Sequence, residues 1–75
     1  WEDLRFWEST SLKTVERINA LVDSIMKSPS TGIGKPEKLK HELSGTWSRR
    51  INQRDRMVYE VENETLIILQ LRSHY

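Results

Sequence analysis

The run Met57-Val58-Tyr59-Glu60-Val61-Glu62, the pair Asn63-Glu64 and the run Thr65-Leu66-Ile67-Ile68-Leu69-Gln70-Leu71-Arg72 read together as two β-strands and a tight turn. Both runs are rich in β-branched, aromatic and aliphatic side chains, and a two-residue polar link is hairpin length. Period-two alternation puts Met57, Tyr59 and Val61 on one face and Arg56, Val58 and Glu60 on the other. In the second run Leu66, Ile68, Gln70, Arg72 and His74 alternate with Ile67, Leu69, Leu71, Ser73 and Tyr75. The first of these sets turns polar toward the C-terminus, which is odd for a strand face that begins in a core. Working outward, Thr46–Ile51 is a third strand-like run joined to the hairpin by Asn52–Asp55. Strands are therefore expected at about 46–51, 56–62 and 65–73, in an antiparallel meander.

The first part of the chain has the other period. Trp1, Leu4 and Trp7 recur at helical spacing, then Leu12, Val15, Ile18, Val22 and Ile25 mark one face of a longer helix. Ser9-Thr10-Ser11 supplies N-cap residue types between them, and Ser28-Pro29 ends the second helix, because the residue before proline is pushed out of the α region. Helices are expected at about 1–8 and 11–27, with a loop over 28–45. Helix, helix and three strands make an α+β plan in which both apolar stripes cover one face of a twisted antiparallel sheet.

At 75 residues the chain holds one small domain, 1–75, and a 36% apolar share with five Gly and Pro residues excludes disordered and low-complexity classes. No apolar run approaches the ~18 residues of a membrane span. Without cysteine there is no disulfide framework or thiolate chemistry, and two histidines make no structural zinc site. No metal and no cofactor are expected. The chain opens on Trp1 and not on Met, so residues upstream are expected to have been cut off or left out. The net charge of +1 conceals a pattern. Residues 1–32 carry four basic and five acidic side chains, a net −1. Residues 33–56 carry seven basic side chains against Glu37, Glu42 and Asp55, a net +4. Residues 57–75 carry Arg72 against Glu60, Glu62 and Glu64, a net −2. Such a basic middle suits a polyanion-binding surface and equally a solvated face that keeps a small domain soluble.

Gly32-Ile33-Gly34-Lys35 resembles a phosphate loop but lacks the Walker spacing and has Pro36 where Ser or Thr should stand, so that reading fails. What remains is a set of polar residues that a small sheet can gather: Glu37, Lys40, His41, Arg49, Arg50, Arg56, Arg72, His74 and Tyr75. Carboxylate, imidazole and guanidinium are the ingredients of metal-free RNA cleavage by a neighbouring 2′-hydroxyl. Composition alone does not choose between that chemistry and ordinary surface polarity.

Gly32-Ile33-Gly34-Lys35-Pro36-Glu37-Lys38-Leu39-Lys40, Ser44-Gly45-Thr46-Trp47-Ser48-Arg49-Arg50-Ile51, Arg56-Met57-Val58-Tyr59 and the terminal His74-Tyr75 resemble the YoeB family of RelE-like bacterial toxins, from Trp1 to Tyr75 without a gap. The resemblance implies a microbial-ribonuclease-like fold, with a first family strand that would lie before Trp1 and is missing here. It implies a cytoplasmic toxin of a type II toxin–antitoxin system that cleaves messenger RNA in the ribosomal A site and arrests translation, without a metal. It carries the family's site onto Glu37 as general base, His74 as general acid, Arg56 as phosphate stabiliser and Tyr75 as the residue that orients the substrate nucleotide, with the two proton-transfer roles interchangeable. Lys35, Lys38, Lys40, Arg49 and Arg50 become contacts to messenger or ribosomal RNA, with Arg49 and Arg50 on opposite faces of their strand. Trp47 is expected to pack, and His41 stays outside the catalytic set. The resemblance also implies a YefM-type antitoxin with an acidic segment as partner, and homodimerisation, which occurs in the family. One departure is Asp55, where relatives often carry histidine: an acid beside Arg56 would partly neutralise it. That leaves a second reading, an impaired relative that only binds RNA, the ribosome or its antitoxin.

Overall fold

The computed structural model describes residues 2–39 and 45–72. Helix α1 spans Glu2–Thr10 and α2 spans Leu12–Lys27, followed by strands β1 (Glu37–Lys38), β2 (Trp47–Arg50), β3 (Arg56–Glu62) and β4 (Thr65–Gln70). The strands form one antiparallel sheet in the order β1-β2-β3-β4, so the α+β plan with two helices on one sheet holds.

Of the three N-cap residue types at the helix junction, Ser11 takes the position. Its backbone is extended, and its hydroxyl oxygen accepts from the Thr14 N–H at 3.1 Å. The apolar stripe of α2 buries Ile18, Leu21 and Ile25. These meet Trp7 from α1 and Ile51, Met57, Tyr59 and Leu71 from the sheet side, and Trp47 packs on the edge of that cluster. The core therefore lies between the helices and one sheet face.

The β3–β4 turn has Asn63 at φ 51° and Glu64 at φ 64°. Two successive positive φ values are the geometry that matches the twist of a two-residue hairpin, and Asn tolerates it well. Further along β4, Tyr59 pairs with Ile68 while Val58 pairs with Gln70, so Leu69 is an extra residue in the ladder. This bulge explains the odd alternation. Up to Ile68 the even positions pack on the helices. Past the bulge the phase reverses: Gln70 shares the far face with Val58, and Leu71 drops into the core at 1% exposure.

Several element ends shift by one to three residues from the expected bounds, and the expected loop over 28–45 holds a further strand: Glu37 and Lys38 pair with Ser48 and Trp47 as an edge strand. Two residues carry no period of their own, so only the ladder reveals them. The loop ahead of it is pressed onto the protein. Gly34 has φ +84°, and a Cβ there would meet Leu21 Cδ2 at 2.7 Å and Arg49 Cβ at 3.1 Å. Gly45 has φ +94° with nothing within 4 Å. Gly34→Ala should therefore cost about 2–4 kcal/mol, from the left-handed conformation plus overpacking, and Gly45→Ala only about 1–2. Urea midpoints of the two variants test this, and equal losses would contradict it.

Candidate functional site

Antiparallel partners point to the same side of a sheet, so the register sorts the polar residues by face. Glu37 pairs with Ser48, Ser48 with Val58, and Val58 with Gln70, while Arg50 pairs with Arg56. All six lie on the face away from the helices. Glu37 is exposed on the edge strand, Ser48 and Val58 are buried, and Arg56 and Gln70 are half-buried. Arg56 Nη1 donates to Ser48 Oγ at 3.5 Å, so Ser48 stands between the carboxylate-bearing strand and Arg56. Adjacent strands are ~4.8 Å apart, and Arg56 lies two residues along β3 from Val58, the residue in line with Glu37 and Ser48. The Glu37 and Arg56 backbones are therefore about 12 Å apart, which lets two long side chains close on a group between them.

The Arg50–Arg56 pair concentrates positive charge. Like charges directly opposite on neighbouring strands oppose pairing unless something anionic lies over them. Arg50 is exposed, and its backbone is fixed at both ends: its N–H donates to the Gly34 carbonyl at 2.7 Å, and its carbonyl accepts from Arg17 Nη2 at 3.1 Å. Lys35, the next residue after Gly34, is exposed at φ 51° and enters β1 through Pro36. The same loop thus joins Glu37 to the strand that carries Arg50.

Arg49 requires a correction. It was expected among the RNA contacts, but it is 0% exposed and points to the helix side. Its Nε donates to Tyr59 Oη at 2.9 Å, Nη1 to Ser24 Oγ at 2.7 Å and to the Ile33 carbonyl at 3.0 Å, and Nη2 to the carbonyls of Ser28 at 2.7 Å and Thr31 at 2.8 Å. Tyr59 in turn donates to the Pro29 carbonyl at 2.8 Å. Ser28 is the C-cap of α2, so the guanidinium sits where a helix end presents its carbonyls and its negative dipole. Arg49 therefore ties the end of α2 and the loop 28–34 to the sheet, and it is no surface for a nucleic acid. Lys38 also departs from the Glu37 group, because its partner is Trp47 on the opposite face. Lys40, His74 and Tyr75 lie outside the described residues.

Asp55 closes the β2–β3 link. Its buried carboxylate accepts from Asn52 Nδ2 at 3.1 Å and lies 3.8 Å from Arg54 Nε, while Asn52 Oδ1 accepts from the N–H groups of Arg54 and Asp55. Asp55 is thus a turn residue that presents Arg56 at the start of β3. Ser48 is the site-face residue that the sequence reading did not single out. The signal was available, because period two from Arg50 places Ser48 on the same face. Among the described residues no group of three acidic or histidine side chains is arranged to hold a metal ion, and no helix is long and apolar enough to cross a membrane.

Two helices on one face of a small antiparallel sheet, with Glu37, Glu60 and the paired Arg50 and Arg56 on the other, define a compact α+β protein with a charged sheet face. Over residues 1–75 the chain matches the family described as YoeB-like toxin of bacterial type II toxin-antitoxin system. It is 45% identical to Toxin YoeB of Escherichia coli strain K12, over all of this chain and 89% of that protein. The YoeB/ParE toxin from Agrobacterium tumefaciens superposes with a TM-score of 0.95 at 42% identity, covering 100% of this chain and 90% of that one. The Staphylococcus aureus YoeB, solved in a YoeB–YefM complex, superposes with a TM-score of 0.92 at 43% identity, covering 99% and 86%, and the same protein has been solved as a dimer. The chain belongs to the YoeB-like toxins of bacterial type II toxin–antitoxin systems.

Proposed function

We propose that this toxin is a ribosome-dependent endoribonuclease that cleaves messenger RNA in the A site without a metal ion. The observation that carries the reading is the face-sharing of Glu37, Ser48, Arg50 and Arg56. The substrate's 2′-hydroxyl attacks the adjacent phosphorus, and Glu37 takes the hydroxyl proton as the new P–O bond forms. The bond from phosphorus to the 5′-oxygen then breaks, and His74 returns a proton to that oxygen. The products are a 2′,3′-cyclic phosphate and a free 5′-hydroxyl, with no net change in protons. Arg56 offers a permanently charged planar fork to the phosphate oxygens, where the developing charge is greatest. Tyr75 stacks on or orients the nucleotide. Arg50, Lys35 and Lys40 add sequence-independent attraction to the RNA backbone. A small open site is sufficient when the ribosome itself positions the substrate, since positioning supplies much of the rate.

By the same reading the protein works in the cytoplasm and is held inactive by a YefM-type antitoxin whose acidic segment folds on the basic surface. A homodimer is the corresponding self-assembled form. Toe-printing on a programmed ribosome tests the reading. The wild-type protein should cut within the A-site codon, a His74→Gln variant should lose about 10²–10⁴-fold in rate, and added antitoxin should stop cleavage. Ribosome binding by both proteins with cleavage by neither would replace the nuclease reading with that of a binding module.

A further inference from the structure

The segment that leads into Glu37 is held by one face of α2. Arg17, Leu21 and Ser24 are spaced four and three apart, so they line a single stripe of the helix. Arg17 Nη2 donates to the Arg50 carbonyl at 3.1 Å. Leu21 fills the space beside Gly34, where a Cβ would lie 2.7 Å from its Cδ2. Ser24 Oγ accepts from the Ile33 N–H at 3.3 Å and from Arg49 Nη1 at 2.7 Å, and a Cβ on Gly32 would collide with it. A serine hydroxyl has two acceptor sites, and both are used.

The bonds continue along the chain toward the carboxylate. Arg49 Nη1 also donates to the Ile33 carbonyl at 3.0 Å, so Ile33 is bonded at its N–H to Ser24 and at its C=O to the guanidinium that Ser24 holds. The next carbonyl, that of Gly34, accepts from the Arg50 N–H at 2.7 Å. Three successive backbone groups ahead of Lys35 are thus fixed. Lys35 stands at φ 51°, a left-handed conformation that a side chain disfavours and that persists where the surroundings over-determine it. The ring of Pro36 then fixes the next φ. Little rotation is left between the pinned Gly34 carbonyl and Glu37. Strand β1 itself is two residues long and paired only with β2, so the ladder alone is a weak hold on the carboxylate.

We propose that Ser24 is a positioning residue for RNA cleavage: by holding Ile33 and Arg49 against α2, it sets the path of residues 33–36 and so the place of the Glu37 carboxylate on the Arg56 face. The proposal rests on the nuclease reading above, in which Glu37 takes the 2′-hydroxyl proton. A base must lie within hydrogen-bond reach of that proton, so a small displacement of β1 is felt in the cleavage step and little in ribosome binding. Ser24 is half-buried and outside the apolar core, so Ser24→Ala removes the two bonds and keeps a good helix former. Ser24→Thr keeps the hydroxyl and serves as the conservative rescue. Tyr59→Phe is the control for general loosening, because it removes the bonds to Arg49 Nε and the Pro29 carbonyl and leaves both Ile33 bonds in place.

Single-turnover cleavage on programmed ribosomes, with urea midpoints and amide exchange at Ile33, tests this. Ser24→Ala should lower the rate at saturating ribosome by about 10–100-fold, since displacements near 1 Å cost that much. Its half-saturating ribosome concentration should stay within about twofold, and its Ile33 exchange should accelerate about tenfold. Ser24→Thr should keep the rate within about threefold of wild type, as a hydroxyl still accepts both bonds. Tyr59→Phe leaves a buried donor unpaired, so it should lower the urea midpoint at least as far as Ser24→Ala, with the saturated rate kept within about threefold. In a Glu37→Gln background, adding Ser24→Ala should cost no more than about a further twofold, because the group it places is already gone. A wild-type rate in Ser24→Ala, equal rate losses in Ser24→Ala and Tyr59→Phe, equal losses in Ser24→Ala and Ser24→Thr, or a full additional loss in the Glu37→Gln background would overturn the proposal and leave the nuclease reading standing. A wild-type protein that does not cleave brings down both.

Discussion

Arg49→Ala is expected to lose about 3–5 kcal/mol of folding stability, while Arg50→Ala, one residue away, should change it by no more than about 0.5. The contrast follows from where the two guanidinium groups lie. Removing the Arg49 side chain strips five hydrogen bonds from the interior and leaves three carbonyl oxygens of the 28–34 loop without that donor. A chain of 75 residues has roughly 4–11 kcal/mol of total stability, so much of the population would unfold. Arg49→Lys should recover only part of the loss. An ammonium has three donors and no planar fork, so it cannot reach Tyr59, Ser24 and the loop carbonyls together. Urea denaturation of the three variants checks this. Arg49→Ala and Arg50→Ala melting at the same concentration would refute the structural assignment of Arg49.

The second large effect concerns cleavage with the fold intact. Glu37→Gln should reduce the single-turnover rate by about 10²–10⁴-fold by removing a proton acceptor. Arg56→Ala should reduce it by about 10²–10³-fold by removing charge stabilisation at the phosphate. Arg56→Lys should restore a minor part of that, because a point charge does not reproduce the bidentate fork. Glu37 is exposed, so its substitution should leave the denaturation midpoint unchanged. Arg50→Ala provides the control of opposite character. It should weaken ribosome binding and lower the slope of log affinity against log salt by about 1, with the saturated cleavage rate altered far less. Wild-type cleavage by Glu37→Gln and Arg56→Ala would remove both residues from the proposed machinery.

These two predictions separate neighbours that the chain writes alike. Arg49-Arg50 is a basic pair, and alternation says only that its members face opposite ways. Which of the two meets solvent depends on what covers each face. The carbonyls of Ser28, Thr31 and Ile33 surround Arg49 because α2 ends at Ser28 and the loop folds back over the sheet. None of that is local to residue 49. Asp55 teaches a similar lesson: its carboxylate accepts from Asn52 Nδ2 and its N–H donates to Asn52 Oδ1, so the closed turn fixes where β3 starts.

The sequence by itself determined the two helices, the three longer strands, their order and the α+β class, because hydrophobic period, capping residues and hairpin links act over a few positions. It also determined which side chains can do chemistry, through residue type and through the family resemblance of the 32–40, 44–51 and 56–59 segments. Only the tertiary structure decided how those side chains are grouped. The pairing of Glu37 with Ser48 made a strand from two residues and put the carboxylate on the Arg56 face. The bulge at Leu69 reversed the phase of β4, sending Gln70 to that face and Leu71 into the core. A register or a bulge is chosen by the summed packing of two faces and two partner strands, so it is a property of the assembled sheet and leaves no trace in a period.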